Sequence, residues 1–272
     1  MTDSLFSAID RCNELLRLDF SAEEFAKLAE ERSLSAESIE AVSSVFEYLR
    51  DKKEQSTIQM LLRTSRLPQK QVKTFDNFDF DVLKGKDIDK LKNLQTLAPI
   101  YAHKNIAFIG PPGTGKTHLA QAFGYECCRH RMKTYFIKAA ELRDKFTIAR
   151  RAGREGALLT SLVRPSCLII DEVGHCEFDK ANTRLFFDMV DRRYNKEGAF
   201  NMIFTSNKNP SDWREIFGEN DALLCSLDRL FDSASASVFT FRGESFRGKH
   251  LENYTLRAEH SASTTQDNPL NH

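Results

Sequence analysis

The chain has 272 residues, 41% of them hydrophobic and 29% charged, and its 39 basic and 39 acidic side chains give a formal net charge of zero. That balance excludes a globally basic nucleic-acid binder while leaving room for a local basic patch, and it fits one large domain, or a mid-sized domain with a small appendage. No apolar run approaches the roughly 20 residues of a membrane helix, and the acidic start MTDSLFSAIDRCNELL lacks a signal peptide's apolar core, so a cytoplasmic address with no membrane partner is expected.

Residues 1–66 read as helical. Leu5, Ile9, Leu15 and Leu16 form a loose amphipathic stripe. Ser35 is an N-cap with Glu37 and Glu40 close behind, and Val42, Val45, Phe46 and Leu49 follow at helical spacing. A further segment runs through Ile58, Leu61 and Leu62 and stops before Pro68. The region is either an appendage packed on the main domain or a docking module for protein or DNA. Residues 69–84 have little helical period and read as an extended connector laying Phe75, Phe78 and Phe80 on the core; such a segment can also flank an adenine. Residues 87–101 then predict one helix.

From there strands and helices alternate. Apolar runs fall at 106–109, 134–137, 167–170, 202–205 and 238–241, with helical stretches at 118–130, 140–152, 155–163, 181–195 and 221–231. This is the pattern of a parallel α/β sheet wrapped by helices, whose ligands sit at the C-terminal ends of the strands. The main domain spans 67–249, and the polar tail 250–272 is expected to be disordered. Cys127, Cys128 and Cys167 lie in apolar segments without a CxxC pair and read as buried reduced thiols.

The first strand runs into Gly110, Pro111, Pro112, Gly113, Thr114, Gly115, Lys116 and Thr117, which match GxxxxGK[ST]. A strand, a glycine loop and a helix in this order present backbone N–H groups and a helix N-terminus to phosphate oxygens. Lys116 would reach the β- and γ-phosphates of a bound nucleotide, Thr117 would bind Mg²⁺, and His118 completes the nucleotide set. Leu168-Ile-Ile-Asp171-Glu172 ends another strand. There Asp171 is expected on the metal side beside Thr117, and Glu172 as the group that polarises the attacking water. Asn207, after Ile203-Phe-Thr-Ser206, is expected to orient that water, with Ser206 supporting the turn. Arg229 has two readings: a finger acting from a neighbouring subunit, or an exposed helix arginine paired with Asp228 or Asp232. Arg242 and Arg247 follow the last strand and either approach nucleotide or form a solvated basic surface. Arg143, Lys145, Arg150, Arg151 and Arg154 cluster around 140–155, where Gly153 breaks the helix, diluted by Asp144 and Glu155, as a DNA-phosphate contact or a solvated face.

Together these motifs resemble the IstB-like ATPases, relatives of the DnaC helicase loaders within the AAA+ superfamily. The likeness rests on GPPGTGKTHLA (Gly110–Ala120), AAELRDKF (Ala139–Phe146), LIIDEVGHCEFD (Leu168–Asp179), FTSNKNPSDWREIFG (Phe204–Gly218), SLDRLFD (Ser226–Asp232) and FRGESFRGK (Phe241–Lys249). It implies a five-stranded parallel sheet in the order 5-1-4-3-2. It further implies ATP-dependent homo-oligomerisation on double-stranded DNA, ATP hydrolysis stimulated by DNA or partner, and delivery of target DNA to an IstA-like transposase. The alternative partner is a replicative helicase. On the same likeness Arg229 resembles the arginine finger, Asn207 the first sensor and Arg247 the second. His175 and Phe246 depart from the aromatic and the tyrosine common at their positions.

Overall fold

The computed structural model describes residues 9–10, 12–13, 15–17, 19–217, 230–231, 236–243 and 245. Helix α1 (Ala22–Glu31) is closed by a capping box in which Ser21 and Glu24 satisfy each other's backbone N–H groups. Helix α2 (Ala36–Thr64) starts at the predicted cap, where the Ser35 hydroxyl accepts from the Ser38 N–H at 3.2 Å. The sequence reads as two helical segments here, yet the structure has one helix of 29 residues. Residues 51–57, DKKEQST, contain no glycine or proline to stop it. The end of α2 is stitched to the sheet: the Phe136 N–H donates to the Ser65 carbonyl at 2.8 Å, and Arg66 pairs with Glu141 and donates to the Tyr135 hydroxyl.

Phe75 and Phe78 of the connector are buried and Phe80 packs beside them, as predicted. The single helix expected over 87–101 is instead broken into α3 (Ile88–Lys92), a 3₁₀ turn (Asn93–Thr96) and α4 (Ala98–Tyr101). Leu97 takes a left-handed conformation (φ +59°) with its side chain buried, and Pro99 has no N–H to continue a helix through it.

The five apolar runs form β1 (Asn105–Ile109), β2 (Thr134–Lys138), β3 (Cys167–Val173), β4 (Asn201–Ser206) and β5 (Ala236–Thr240). All pair in parallel, in the order β2-β3-β4-β1-β5 that the AAA+ likeness implies. Strand β4 lies between β1 and β3, so the C-terminal ends of these three strands meet. Alternate side chains enter two cores. Phe108, Ile169 and Ile203 face α5 (Lys116–Arg129) and the connector, along with buried Cys127, Cys128 and Cys167. Burial pushes the Cys127 and Cys128 thiols up, the latter to about 11, which keeps both protonated. Ile109, Ile170 and Phe204 face α6 (Ala139–Arg151), α7 (Glu155–Val163), α8 (Lys180–Tyr194) and α9 (Trp213–Phe217). Cover on both faces explains why β1, β3 and β4 read as apolar runs. Apart from Leu230 and Phe231, the helix predicted over 221–231 lies outside the described residues, as does the tail from 250.

Candidate nucleotide site

The phosphate-loop sequence sits where it was expected, between β1 and α5, with Gly115 (φ +88°) as the N-cap of the helix. The Thr114 hydroxyl donates to the Pro111 carbonyl at 2.9 Å and braces the loop, and Lys116 Nζ donates to the same oxygen at 2.6 Å. The N–H groups of the first turn of α5 and its dipole suit an anion at this point.

Across the sheet, the predicted acids differ in one respect from expectation. The strand does not stop at Ile170: β3 continues to Val173, and Asp171 lies inside it with 1% exposure. A bulge between Ile170 and Val173, with Glu172 at φ +60°, makes this possible. The bulge removes the Glu172 N–H from the ladder, and the Thr205 hydroxyl accepts it at 3.0 Å. The same hydroxyl donates to Asp171 Oδ1 at 2.5 Å, and Thr117 Oγ1 donates to that oxygen at 2.8 Å. Thus the first turn of α5, β3 and β4 are tied through one carboxylate. Burial raises the Asp171 pKa above the ordinary carboxylate value; the bonds from Thr205 and Thr117 oppose this, and neighbouring Glu172 adds to it.

Glu172 points away from that cluster. The β2–β3 register sets Lys138 opposite Asp171, and Lys138 Nζ reaches Glu172 Oε2 at 3.0 Å. Asn207 is exposed just after β4. Its Oδ1 lies 3.2 Å from where a Gly174 Cβ would stand, which places it near the loop that follows Glu172. Ser206 supports the turn as expected: its hydroxyl donates to the Val173 carbonyl at 2.6 Å and accepts from the Lys208 N–H at 3.0 Å, and its carbonyl accepts from the Gly110 N–H at 3.1 Å. His118 turns toward the connector. Its Nε2–H donates to the Thr74 carbonyl at 2.9 Å, and Phe78 packs edge-on against the ring with centroids 5.0 Å apart. Burial lowers the pKa of this imidazole.

Residues 13–253 match the family described as IstB-like ATP binding protein. The chain belongs to that family. This IstB-like protein is 39% identical over 198 residues to an insertion-sequence (IS5376) protein of Geobacillus stearothermophilus named for ATP binding, covering 72% of this chain and 75% of the relative. It is 32% identical over 206 residues to an IS21 counterpart from Pseudomonas aeruginosa, covering 76% and 75%. Among solved structures its fold resembles DnaI (TM-score 0.53, 16% identity, 67% of this chain and 95% of that one). It also resembles AMPPCP-bound DnaA from Aquifex aeolicus (TM-score 0.50, 22% identity, 64% and 51%). These likenesses confirm the AAA+ P-loop architecture of the IstB-like chain.

In this IstB-like protein the Thr117 hydroxyl and the Asp171 carboxylate offer hard oxygen donors, which suit Mg²⁺. Among the described residues no group of three or more His, Cys, Asp or Glu gathers to hold a metal. Mg²⁺ at this point would therefore take its remaining ligands from phosphate and water, as it commonly does. Arg229 and Arg247 lie outside the described residues. Sequence reasoning missed Thr205 and Lys138. Thr205 sits within the quoted TSN run but reads there as an ordinary strand residue, and Lys138 as the polar end of β2; only strand order makes either a neighbour of the acids.

Proposed function

We propose that this IstB-like protein hydrolyses ATP in an assembly of its own copies on double-stranded DNA and delivers that DNA to an IstA-like transposase. The observation that carries the reading is the Thr117–Asp171 hydrogen bond at the mouth of the phosphate loop, made between residues 54 apart in sequence. The loop from Gly110 to Lys116 binds the phosphates, with Pro111, Pro112, Gly113, Thr114 and Gly115 supplying its backbone. Thr117 and Asp171 hold Mg²⁺, which when bound neutralises charge on the phosphates. Glu172 accepts a proton from the attacking water, and Asn207 orients that water. Arg229 comes from a neighbouring protomer, and Arg247 acts as second sensor. His118 serves the site indirectly, by fixing the connector on the adenine side.

Residues 1–66 form the partner-docking region, 67–249 the ATPase domain and 250–272 a polar tail. For DNA, Arg143 is paired with Asp144, Lys145 with Glu141 and Arg150 with Asp179. Among the described residues Arg151 and Arg154 make no ion pair, so they are the best-placed phosphate contacts on α6 and the turn after it. The sequence relatives are insertion-sequence proteins, which favours a transposase partner over a replicative helicase; likeness to DnaI and to the DnaC loader carries the fold alone. Among the described residues no helix is long and apolar enough to cross a membrane, in keeping with a cytoplasmic site of action.

The test is Glu172→Gln. The variant is expected to bind ATP as wild type does, to release phosphate about 10²-fold more slowly or worse, and to remain on DNA longer. Turnover at the wild-type rate would remove Glu172 from the water-activating role.

A further inference from the structure

The glycines of the phosphate loop are approached from outside by other parts of the chain. Strand β5 pairs with β1 from Asn105↔Ala236 to Ile109↔Thr240, and the pairing continues one step further as the Phe241 N–H donates to the Ile109 carbonyl at 2.7 Å. The segment after β5 is thereby locked to the strand that opens the loop. Phe241 is buried against Phe108, and its carbonyl oxygen lies 2.4 Å from where a Gly110 Cβ would stand. Four residues on, Ser245 fills the space of a Gly113 side chain: its Oγ is 1.9 Å and its Cβ 2.8 Å from that Cβ position. On the opposite flank Phe78 stands 2.6 Å from the Cβ position of Gly115.

We propose that Ser245 is a positioning residue for ATP binding, a wall that holds Gly113 in the backbone conformation which receives the phosphates. The proposal rests on the reading of this loop as the ATP site. Gly113 has φ +79°, one of many conformations open to glycine. Without a wall, nucleotide must order that residue as it binds, which weakens affinity by about thirtyfold at most for one residue. Ser245 is itself exposed, so its hydroxyl can be removed without opening the core.

Binding of a fluorescent ATP analogue with Mg²⁺ to the full chain, without DNA, tests this. Ser245→Ala is expected to weaken affinity about three- to tenfold, to raise the KM for ATP at unchanged kcat, and to leave the nucleotide-free melting temperature unchanged. Wild-type affinity in Ser245→Ala overturns the proposal. So does an affinity loss that tracks a fall in melting temperature, which would make the role merely structural. Failure of the wild-type chain to bind the analogue would overturn the ATP reading of the loop itself; wild-type binding with an indifferent Ser245 overturns only the positioning role.

Discussion

Thr205→Val removes one hydroxyl and keeps the volume of a side chain with 2% exposure. Two bonds go with it: the donation to Asp171 Oδ1 and the acceptance from the Glu172 N–H. The first is assisted by the carboxylate charge, at about 1.5–3 kcal/mol, and the second leaves a backbone N–H unpaired at the bulge, at about 1–3 kcal/mol. Together they predict a loss of about 2.5–6 kcal/mol, or a fall in melting temperature on the order of 10 °C for a chain of this size. The loss depends on pH. Burial holds the Asp171 pKa above its ordinary value, and the Thr205 bond pulls it down. Without Thr205 the folded-state pKa rises further, so folded variant takes up its proton at higher pH than folded wild type. The stability gap is therefore widest near pH 7 and narrows as pH falls through the raised pKa. Thermal melts of both proteins at pH 7 and pH 5 measure it. A gap of under about 1 °C at pH 7, or one that stays constant or widens on acidification, would refute the reasoning.

Lys138→Met frees Glu172 from its ion pair, whose partners are 54% and 39% exposed. Basal phosphate release is expected to rise by up to about fivefold, the ceiling for an exposed pair of about 1 kcal/mol; an unchanged or lower rate would show that the pair does not restrain Glu172. Arg193→Met removes a fully buried guanidinium that donates to the carbonyls of Leu162, Val163, Pro165, Ser166 and Asn201. Burial lowers its pKa to about 10, which leaves it charged at neutral pH. Urea denaturation should show a loss of about 3–5 kcal/mol, and a loss below about 1 kcal/mol would contradict the view that this residue bolts α8 to β4 and the turn after α7.

The inner strands β1 and β4 were legible in the sequence because they are buried on both faces, and β2 and the half-buried edge strand β5 coincide with their apolar runs to within a residue or two as well. The phosphate loop was legible because its motif is contiguous. What was not legible depends on contacts between strands. β3 overran its apolar run because Thr205, on a neighbouring strand, satisfies the bulge at Glu172. Lys138 met Glu172 only through the β2–β3 register. Thr74 and Phe78 of the connector take the His118 ring, a contact that no local pattern encodes. The break at Leu97 was in reach, since Pro99 argues against one helix over 87–101.

The proposed function requires that ATP held at this loop join copies of the chain on DNA. Analytical ultracentrifugation with duplex DNA and a non-hydrolysable ATP analogue measures it directly, with Lys116→Ala beside wild type. Wild type is expected to form a multisubunit complex on the duplex, and Lys116→Ala none. A wild-type chain that stays monomeric with nucleotide and duplex together, or a Lys116→Ala chain that assembles as well as wild type, would contradict it.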